Sequence, residues 1–500
     1  MPFNDITLRA NNAQPARRAP RQRTLLAALQ AVQQRPAKRR ASENTGTEAG
    51  ERAVKRPNTK RDAAPALKIK EDESERETAV AKTQLTYAAL SVGQALRQRR
   101  YTGIAAVQVS QARILASSLV SAPERVFQTA DGEGGRQLPL ACRYNSTGSH
   151  LALADEGGHL GIFDTSGNSG PVVAQHRWQA HEHAVFDAAW SPDGQQVVTA
   201  AADDTCRLWD ATRGELLGDF VGHQKTVRAV DWRPDEGCCF ASGGRDGALL
   251  FWDTRCNKAL VEGRYSYRPV MRIAHAHAQV RGNGRRRTDV LAASITGVQQ
   301  LRHGPWLVAT AGAAAATVKI WDMRAVPQAR GLPRAVAESL APQGRARGLS
   351  SLALDTSGSR LYAACNDGRV YVHGVQALQG AGPLGMLEAP AFECRGFGAG
   401  VAVGGLGGAF VAAGSATGAV VLWEVDRLGC ASGGRRVVLR GHTREAGSVA
   451  WNPARTQLAS CADDGTMRLW DLSASEALRA REDVVNRGHW GMAEIEAETL

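Results

Sequence analysis

The chain has 500 residues, of which 43% are hydrophobic and 22% charged, and its formal net charge is +12. Most of this charge lies near the N-terminus, because residues 1–70 contain 16 Lys and Arg against 5 Asp and Glu, a balance of +11, and the rest carries about +1. This distribution argues against a globular part that binds nucleic acid through an overall cationic surface, so we expect no direct sequence-specific binding of nucleic acid.

The nine cysteines are dispersed, without a Cys-x-x-Cys pair or a Cys/His cluster at zinc spacing. Such a set is typical of reduced thiols in the cytosol or nucleus, and we expect neither a metal site nor a cofactor. The N-terminus lacks the apolar segment of a secretion signal, and no run of 18 apolar residues occurs. We therefore expect no secretion and no membrane partner.

Residues 1–82 are rich in Arg, Lys, Ala, Gln, Pro, Glu and Thr and have almost no aromatic residues, which predicts a disordered basic tail. Two basic clusters lie within it, and their residues are Lys38, Arg39 and Arg40, and Lys55, Arg56, Lys60 and Arg61. The clusters indicate nuclear import and hence a nuclear protein. The competing interpretation is a solvated run of charge, or a tail that touches nucleic acid non-specifically. Residues 83–122 are more apolar and predict a helical lead-in.

A turn, a short apolar run and a Trp-Asp pair recur along the rest of the chain. Asp246-Gly247 supplies the turn chemistry, and Ala248 to Trp252 is long enough for a buried strand and too short for a helix. In chain order, the seven repeats end at Phe163-Asp164, Trp209-Asp210, Trp252-Asp253, Trp321-Asp322, His373-Gly374, Trp423-Glu424 and Trp470-Asp471. This is the WD-repeat pattern, with four strands per blade. The sequence predicts an all-β, seven-bladed WD-repeat β-propeller over residues 123–475 and a C-terminal tail, with a short helix, over 476–500.

The repeat ends are 46, 43, 69, 52, 50 and 47 residues apart, and only the spacing of 69 is out of line. It implies an inserted loop over residues 262–288, and a second long loop covers residues 325–348. Loops of this length are either functional or disordered, and we expect mostly disorder. Because each sequence unit ends on the third strand of a blade, the last blade needs an outer strand from the N-terminal side, and Arg125 to Thr129 is predicted to supply it.

Repeats 2, 3 and 7 carry a matched polar set at fixed spacing from the tryptophan. The sets are His181, Thr199, Asp203 and Trp209; His223, Ser242, Asp246 and Trp252; and His442, Ser460, Asp464 and Trp470. Ser, His and Asp in one unit would suggest hydrolysis, but three copies in one domain make an implausible enzyme. We interpret each set as a structural network from Asp to His to Ser/Thr to the indole N–H. In repeat 4, Ala313 to Ala316 replaces the Asp-bearing turn, so that repeat should be locally softer.

Within this pattern lies a narrower resemblance. The run from His183 to Trp190, and Val198 to Ala201 with Asp203, resemble the second blade of the denticleless family. The runs Gly243 to Gly247 and Trp252 to Lys258 are similar to its third blade nearly residue for residue. Lys319 to Arg324 closes a fourth blade in the same way. On these motifs the chain is identified as a member of the denticleless family.

The resemblance implies a non-catalytic, substrate-recognition subunit of the cullin-4 RING ubiquitin ligase. Such a subunit docks on the damaged-DNA-binding-protein adaptor. It presents replication and cell-cycle proteins, of the origin-licensing type and bound to the sliding clamp, for ubiquitination and proteasomal degradation. The alternative is a chromatin- or histone-binding WD-repeat scaffold.

The family's adaptor-docking motif is Trp-Asp-x-Arg, and it occurs here twice. The copies are Trp252, Asp253 and Arg255, and Trp321, Asp322 and Arg324. Each arginine follows the end of a third strand in neighbouring repeats, so we expect both on one face, opposite the His- and Asp-bearing loops. A guanidinium suits such a contact because its planar fork makes paired hydrogen bonds, although an arginine there can also be a mere surface charge. Substrates would then bind the opposite face, with acidic candidates Asp155, Glu156, Asp204 and Asp367.

Overall fold

The structure is a computed structural model. It describes residues 115, 117–130, 135–167, 170–261, 263–281, 289–291, 293–324, 333–342, 347–395, 398–405, 408–425, 431–483 and 489–496. Its internal contacts divide the chain into Met1–Lys70 and Glu71–Leu500, and every described residue belongs to the second unit. The predicted basic tail over residues 1–82 therefore lies outside the described residues, as does almost all of the predicted helical lead-in.

Short strands dominate the N-terminal half of the described chain. Before the first repeat come β1 (Leu119–Ser121), a 3-10 turn (Pro123–Arg125) and β2 (Val126–Gln128). Repeat 1 forms β3 (Pro139–Tyr144), β4 (His150–Asp155), β5 (His159–Asp164) and β6 (Ala174–Gln179). Repeat 2 forms β7 (Val185–Trp190), β8 (Gln196–Ala201), β9 (Thr205–Asp210) and β10 (Leu216–Val221). Repeat 3 forms β11 (Val227–Trp232), β12 (Cys239–Gly244) and β13 (Leu249–Asp253).

The insertion after repeat 3 is more ordered than the sequence predicted. It contains β14 (Lys258–Val261), β15 (Arg264–Tyr267), β16 (Met271–Ile273), β17 (Gln279–Arg281) and β18 (Asp289–Leu291). The expectation of a mostly disordered loop over residues 262–288 is therefore wrong for its described part. The tyrosine-containing segment of β15 finds a pairing partner in β10, which stabilises it as a strand.

The remaining repeats follow the same plan. Repeat 4 forms β19 (Ile295–Gln300), β20 (Leu307–Gly312), β21 (Val318–Asp322) and, inside the loop predicted over residues 325–348, β22 (Ala337–Glu338). Repeat 5 forms β23 (Leu349–Leu354), β24 (Arg360–Cys365), β25 (Arg369–Gly374) and β26 (Gly385–Leu387). Repeat 6 forms β27 (Val401–Gly404), β28 (Phe410–Gly414), β29 (Val420–Val425) and β30 (Ala431–Arg440). Repeat 7 forms β31 (Ala446–Trp451), β32 (Gln457–Ala462) and β33 (Thr466–Leu472), and α1 (Ala474–Glu482) and β34 (Gly491–Glu496) come after it.

The first strand of each repeat lies on the inside of a ring. The inner strands β3, β7, β11, β19, β23, β27 and β31 contact one another in that order, and β31 contacts β3. Side chains tie neighbouring inner strands together, since the Val230 amide donates to Asp187 at 3.1 Å and the Gln300 amide donates to Asp231 at 2.6 Å. The Cys142 amide donates to Ser448 at 3.2 Å, which joins the first repeat to the last. The fold is thus an all-β propeller.

The number of separate blades differs from the expected seven. Repeats 1, 4 and 5 each form a four-stranded sheet, and so does repeat 3, whose fourth strand is β16 of the insertion. Repeat 2 forms a six-stranded sheet in the order β14-β15-β10-β9-β8-β7. These are five separate blades. Repeats 6 and 7 instead share one ten-stranded sheet, in the order β27-β28-β29-β30-β34-β1-β33-β32-β31, with β2 also on β33. The reason is β34, which pairs with both β30 and β1 and so bridges two edges that would otherwise be free.

The predicted closing strand is confirmed in its central part. Val126, Phe127 and Gln128 pair with Arg468, Met467 and Thr466 of β33 in antiparallel register. Arg125 lies in the 3-10 turn just before the strand, and its Nε donates to Asp471 at 2.7 Å. The first described strands of the chain therefore complete the sheet of its last repeat.

Candidate functional site

Each of the three polar sets forms one continuous chain of contacts. In repeat 2, His181 Nδ1 lies 2.7 Å from Asp203 Oδ2, and Nε2 lies 2.7 Å from Thr199 Oγ1. The same hydroxyl accepts the indole N–H of Trp209 at 3.2 Å. Burial alone would raise the pKa of Asp203, but its hydrogen bonds to His181 and Thr205 lower it to about 2. The carboxylate therefore stays ionised and holds the imidazole in place.

The same contacts recur in repeats 3 and 7 at 2.7 to 3.2 Å. They join His223, Ser242, Asp246 and Trp252, and His442, Ser460, Asp464 and Trp470. In all three repeats the histidine and the hydroxyl are buried. A hydroxyl that is buried and already accepts an indole N–H is poorly placed to attack a substrate. The arrangement instead fixes the turn before the third strand to the strand itself.

Repeat 4 contains an incomplete version that the sequence did not reveal. His277 Nε2 lies 2.8 Å from Thr310 Oγ1, which accepts the indole N–H of Trp321 at 2.8 Å. Alanines stand where the carboxylate would be, and burial, with a contribution from the charge of Lys319, lowers the pKa of His277 to about 3. The polar sets were predicted from a Ser or Thr ten residues before the tryptophan. In repeat 4 this set was missed because Thr310 stands eleven residues before Trp321.

The two Trp-Asp-x-Arg loops have the same geometry. Arg255 donates its backbone N–H and Nε to Asp253 Oδ1 at 2.8 and 2.9 Å, and its Nη2 donates to Oδ2 at 2.7 Å. Arg324 makes the matching contacts to Asp322 at 2.9, 3.1 and 2.9 Å. The aspartates raise the pKa of each guanidinium. Both arginines are therefore charged and held in one orientation by their own loop.

The motif residues differ in what they offer to a partner. The side chains of Arg255 and Arg324 are 57% and 62% exposed. The indoles of Trp252 and Trp321 are buried, and their N–H groups are used in the networks of repeats 3 and 4. The indoles therefore support the two loops from below, and direct adaptor binding by Trp252 and Trp321 stays a prediction.

Three further residues connect the two loops. Arg255 Nη1 lies 3.7 Å from Glu236 Oε1, and Glu236 Oε2 lies 2.8 Å from Arg233 Nη1. The guanidinium of Arg233 lies 3.9 Å above the ring of Trp306, and that of Arg324 lies 6.0 Å from the same ring. We call the resulting group the arginine surface, and its members are Arg233, Glu236, Asp253, Arg255, Trp306, Asp322 and Arg324. The three connecting residues could not be predicted from the sequence, because they belong to loops without a repeat signature.

The arginine surface lies at the end of the blades opposite to the Asp-bearing turns. Strand β13 begins just after the Asp246 turn and ends at Asp253. The antiparallel order of β11, β12 and β13 places the β11–β12 loop at the same end as Arg255. The corresponding loops of repeat 4 hold Trp306 and Arg324.

Two cavities open on the other end of the blades. One, of about 480 Å³, is lined by Glu182, His183, Ala202, Asp203, Asp204, Thr205 and Arg207. The other, of about 340 Å³, is lined by Asp204, Lys225, Thr226 and Arg245. Asp204 borders both and has a left-handed backbone, with φ of 64°.

The other acidic candidates for substrate binding are placed differently. Asp155 is buried and pairs with Arg177 at 2.9 Å. Glu156 is exposed and accepts the Leu138 amide. Asp367 accepts the hydroxyl of Tyr371 at 2.6 Å. Of the four candidates, Asp204 alone borders a described cavity.

Glu236, Cys238 and Cys239 bring their ligand atoms within 4.8 Å of one another, which resembles a metal site. The chemistry does not fit a cation. Glu236 already faces the guanidiniums of Arg233 and Arg255. Burial, reinforced by the charge of Asp253, raises the pKa of Cys239 to about 12, so its thiol stays protonated.

The import residues Lys38, Arg39, Arg40, Lys55, Arg56, Lys60 and Arg61 lie outside the described residues. Among the helices that the structure describes, none has the length and apolar character needed to cross a membrane.

Comparison with known proteins agrees with the fold. A family model described as WD domain, G-beta repeat matches residues 173–210, 214–253 and 433–471. The chain is 34% identical over 348 residues to Denticleless protein homolog of Danio rerio, which covers 67% of this chain and 52% of the relative. It is 32% identical over 363 residues to Denticleless protein homolog of Homo sapiens, with coverage of 69% and 48%.

A more distant relative is covered more fully. The chain is 28% identical over 376 residues to Cell division cycle protein cdt2 of Schizosaccharomyces pombe, with coverage of 72% of this chain and 74% of the relative. The match spans about half the length of the animal relatives. The repeat pattern, the propeller ring and these similarities agree, and the chain belongs to the denticleless family of WD-repeat proteins.

Proposed function

We propose that this protein is the substrate-recognition subunit of a cullin-4 RING ubiquitin ligase. In this role it docks on the damaged-DNA-binding-protein adaptor through the arginine surface. It presents replication and cell-cycle proteins, of the origin-licensing type, for ubiquitination and proteasomal degradation. The protein itself supplies recognition, and the chemistry of ubiquitin transfer belongs to other subunits.

The observation that carries the proposal is the pair of matched Asp–Arg loops on neighbouring repeats. Each arginine makes three hydrogen bonds to its own aspartate, two of them from the guanidinium, and both side chains remain more than half exposed. A partner that accepts hydrogen bonds from them does not have to restrain flexible side chains, which lowers the entropic cost of binding. An arginine that served only as a surface charge would not need this duplication and internal support.

The test is binding of the purified full-length protein to the purified adaptor. Replacing Arg255 and Arg324 together with Ala should weaken binding by about 100-fold or more, because both central contacts are lost. Arg395→Ala is the matched control, since its guanidinium is 74% exposed and paired with Glu393 away from the arginine surface. Unchanged thermal unfolding of the double variant would show that the propeller is intact.

The outcomes separate the proposal from the alternative. Binding by the unaltered protein that is lost in the double variant supports a ligase receptor. Equal binding by both would refute docking through the arginines. No binding to the adaptor, together with retention on histones or chromatin, would favour a chromatin-binding WD-repeat scaffold.

We propose that substrates approach the opposite end of the propeller, where the two cavities share Asp204. Asp204→Asn should weaken substrate capture without changing adaptor binding, because the residue lies away from the arginine surface. A loss of adaptor binding in this variant would contradict the separation of the two surfaces.

We also propose that the protein is nuclear and that the basic clusters between Lys38 and Arg61 direct its import. The basis is the concentration of positive charge in residues 1–70. Removing these residues should shift a fluorescent fusion to the cytoplasm. A truncated protein that remains wholly nuclear would contradict this assignment.

We infer further that the ten-stranded sheet consists of two blades joined by β34, so that the propeller has seven blades in all. The seven inner strands in ring order support this count. Deleting residues 489–500 should leave a ring with the same inner strands, because β1 and β2 still pair with β33. A change in the ring after this deletion, seen by cryo-electron microscopy, would refute it.

A further inference from the structure

Trp306 differs from the tryptophans at the repeat ends. Those of repeats 2, 3, 4 and 7 donate their indole N–H to a buried hydroxyl. Trp306 is 36% exposed, and its indole N–H has no hydrogen-bond partner in the described part of the chain. It is therefore a large apolar side chain with an unused donor, held at the surface.

The side chain is firmly positioned. Its ring is covered on one side by Arg233, whose side chain is only 6% exposed and whose Nη1 is fixed by Glu236 at 2.8 Å. The Trp306 backbone carbonyl also accepts the amide of Met323, the residue before Arg324. Trp306 thus lies between the two Asp–Arg loops and is connected to both. A restrained tryptophan flanked by arginines is the composition that dominates the energetics of protein interfaces.

The charges of the arginine surface balance. Three arginines, at positions 233, 255 and 324, face three carboxylates, at positions 236, 253 and 322. Each guanidinium is therefore partly neutralised before any partner arrives. Such a surface has little net field to attract a strongly acidic partner over a distance. It favours a partner with an apolar centre and hydrogen-bond acceptors around it.

We propose that Trp306 is the central apolar contact of the docking surface, covered in the complex by an uncharged, apolar patch of the adaptor whose rim accepts hydrogen bonds from Arg255 and Arg324. This inference rests on the proposed function and adds the chemistry of the partner. It also predicts that docking responds weakly to salt, because the arginine surface contributes no large net charge.

Binding of the full-length protein to the purified adaptor tests the inference. Trp306→Ala should weaken binding by about tenfold or more, since buried interface tryptophans commonly exceed that effect when truncated. Trp306→Phe should retain most of the affinity, because it keeps an apolar ring over Arg233. Ile495→Ala serves as the control, because Ile495 is 48% exposed and lies in β34, outside the arginine surface.

A second measurement needs no variant. Hydroxyl-radical footprinting of the unaltered protein should show that oxidation of Trp306 falls severalfold when the adaptor is bound. Between about 0.1 and 0.5 M salt, the affinity should change less than about threefold.

The results distinguish this inference from the proposed function. If the unaltered protein binds and the Arg255/Arg324 double variant does not, the proposed function stands. Trp306→Ala binding within twofold of the unaltered protein, or unchanged oxidation of Trp306, would then overturn the inference alone. A fall in affinity of more than tenfold over the salt range would overturn the uncharged partner patch. Absence of binding by the unaltered protein would overturn both.

Discussion

His373 occupies the position at the end of the third strand where most repeats have tryptophan. Only 1% of its surface is exposed, and both ring nitrogens lack a hydrogen-bond partner in the described part of the chain. Burial lowers the pKa of His373 to about 4. The imidazole is thus kept neutral in an apolar environment. Its two nitrogens lose their hydrogen bonds to water on folding and gain none from the protein part that the structure describes.

Replacing His373 with Leu should stabilise the protein, and more so in acid. The unfolded chain protonates this histidine below about pH 6.5 while the folded chain does not, so stability is lost as pH falls from about 6.5 towards 4. The variant escapes this loss. We expect a gain of about 1 kcal/mol at pH 8 and about 3 kcal/mol at pH 5. Urea unfolding at both pH values measures it, and an equal gain at the two pH values would contradict the assigned titration.

Substitution of Ser242 tests how much the polar networks of repeats 2, 3 and 7 contribute to stability. Its hydroxyl contacts His223 and accepts the indole N–H of Trp252, and it is fully buried. Ser242→Ala should leave both partners unsatisfied and lower the free energy of unfolding by about 2–3 kcal/mol. Ser166→Ala, at an exposed position, is the control in the same urea titration. A loss below about 0.5 kcal/mol would mean that the network contributes little.

At the scale of the elements, local patterns predicted the repeat strands because each strand is specified by its own turn and its own apolar run. The third strands β9, β13 and β21 end at the Asp of the Trp-Asp pair, and β33 ends one residue beyond it. The pairing of β15 with β10 and of β34 with β30 was not predictable. These pairings depend on which free sheet edge an inserted or terminal segment meets, and the segment's own sequence does not encode that edge.

A largely buried ion pair joins the turn before the closing strand to β33. Arg125 and Asp471 have side chains that are 6% and 13% exposed, and Asp471 also accepts Gln457 Nε2 at 2.6 Å. Arg125→Met should leave a buried carboxylate without its cation and destabilise the protein by about 3 kcal/mol.

Hydrogen–deuterium exchange should show where this loss acts. Faster exchange is expected in β1, β2 and β33, while the amides of β12 and β13 keep their rates. Adding Asp471→Asn should recover part of the lost stability. Uniformly faster exchange across the propeller would contradict a local closing contact.

At the scale of the whole molecule, the inner wall of the ring contains a carboxyl group that is not fully ionised at neutral pH. Asp231 accepts the amides of Gln299 and Gln300 from the next repeat. Burial, with a contribution from the charge of Asp187, raises the pKa of Asp231 to about 7. Because the unfolded carboxyl releases its proton near pH 4, stability contributed by this group falls as pH rises from about 4 to 7.

Asp231→Asn should remove this pH dependence while keeping an acceptor for the two amides. The variant should match the unaltered protein near pH 4 and exceed it by on the order of 4 kcal/mol at pH 8, since the shift is about three pKa units. Thermal or urea unfolding over this range measures the difference, with Asp235→Asn at an exposed position as control. A variant that is less stable at pH 8 would show that the ionised carboxylate is needed.

The candidate site could be predicted from the sequence less completely than the repeat strands. Arg255 and Arg324 were found from the sequence because they follow a repeated motif. Trp306, Arg233 and Glu236 were not, because their contacts cross between two loops that are distant in the chain and have no motif of their own. The incomplete network around His277 was missed because Thr310 stands eleven residues before Trp321, one more than in the other repeats.

The closing strands also lack their partner strand during most of the protein's synthesis. β1 and β2 leave the ribosome about 340 residues before β33, their partner in the finished sheet. At typical elongation rates of about 5–20 residues per second, they wait roughly 20 to 70 s without it. During that time the nascent chain carries an unmatched strand that can pair with a neighbouring polypeptide. Newly made protein should therefore depend on chaperones until its last repeat emerges, whereas the finished ring should not.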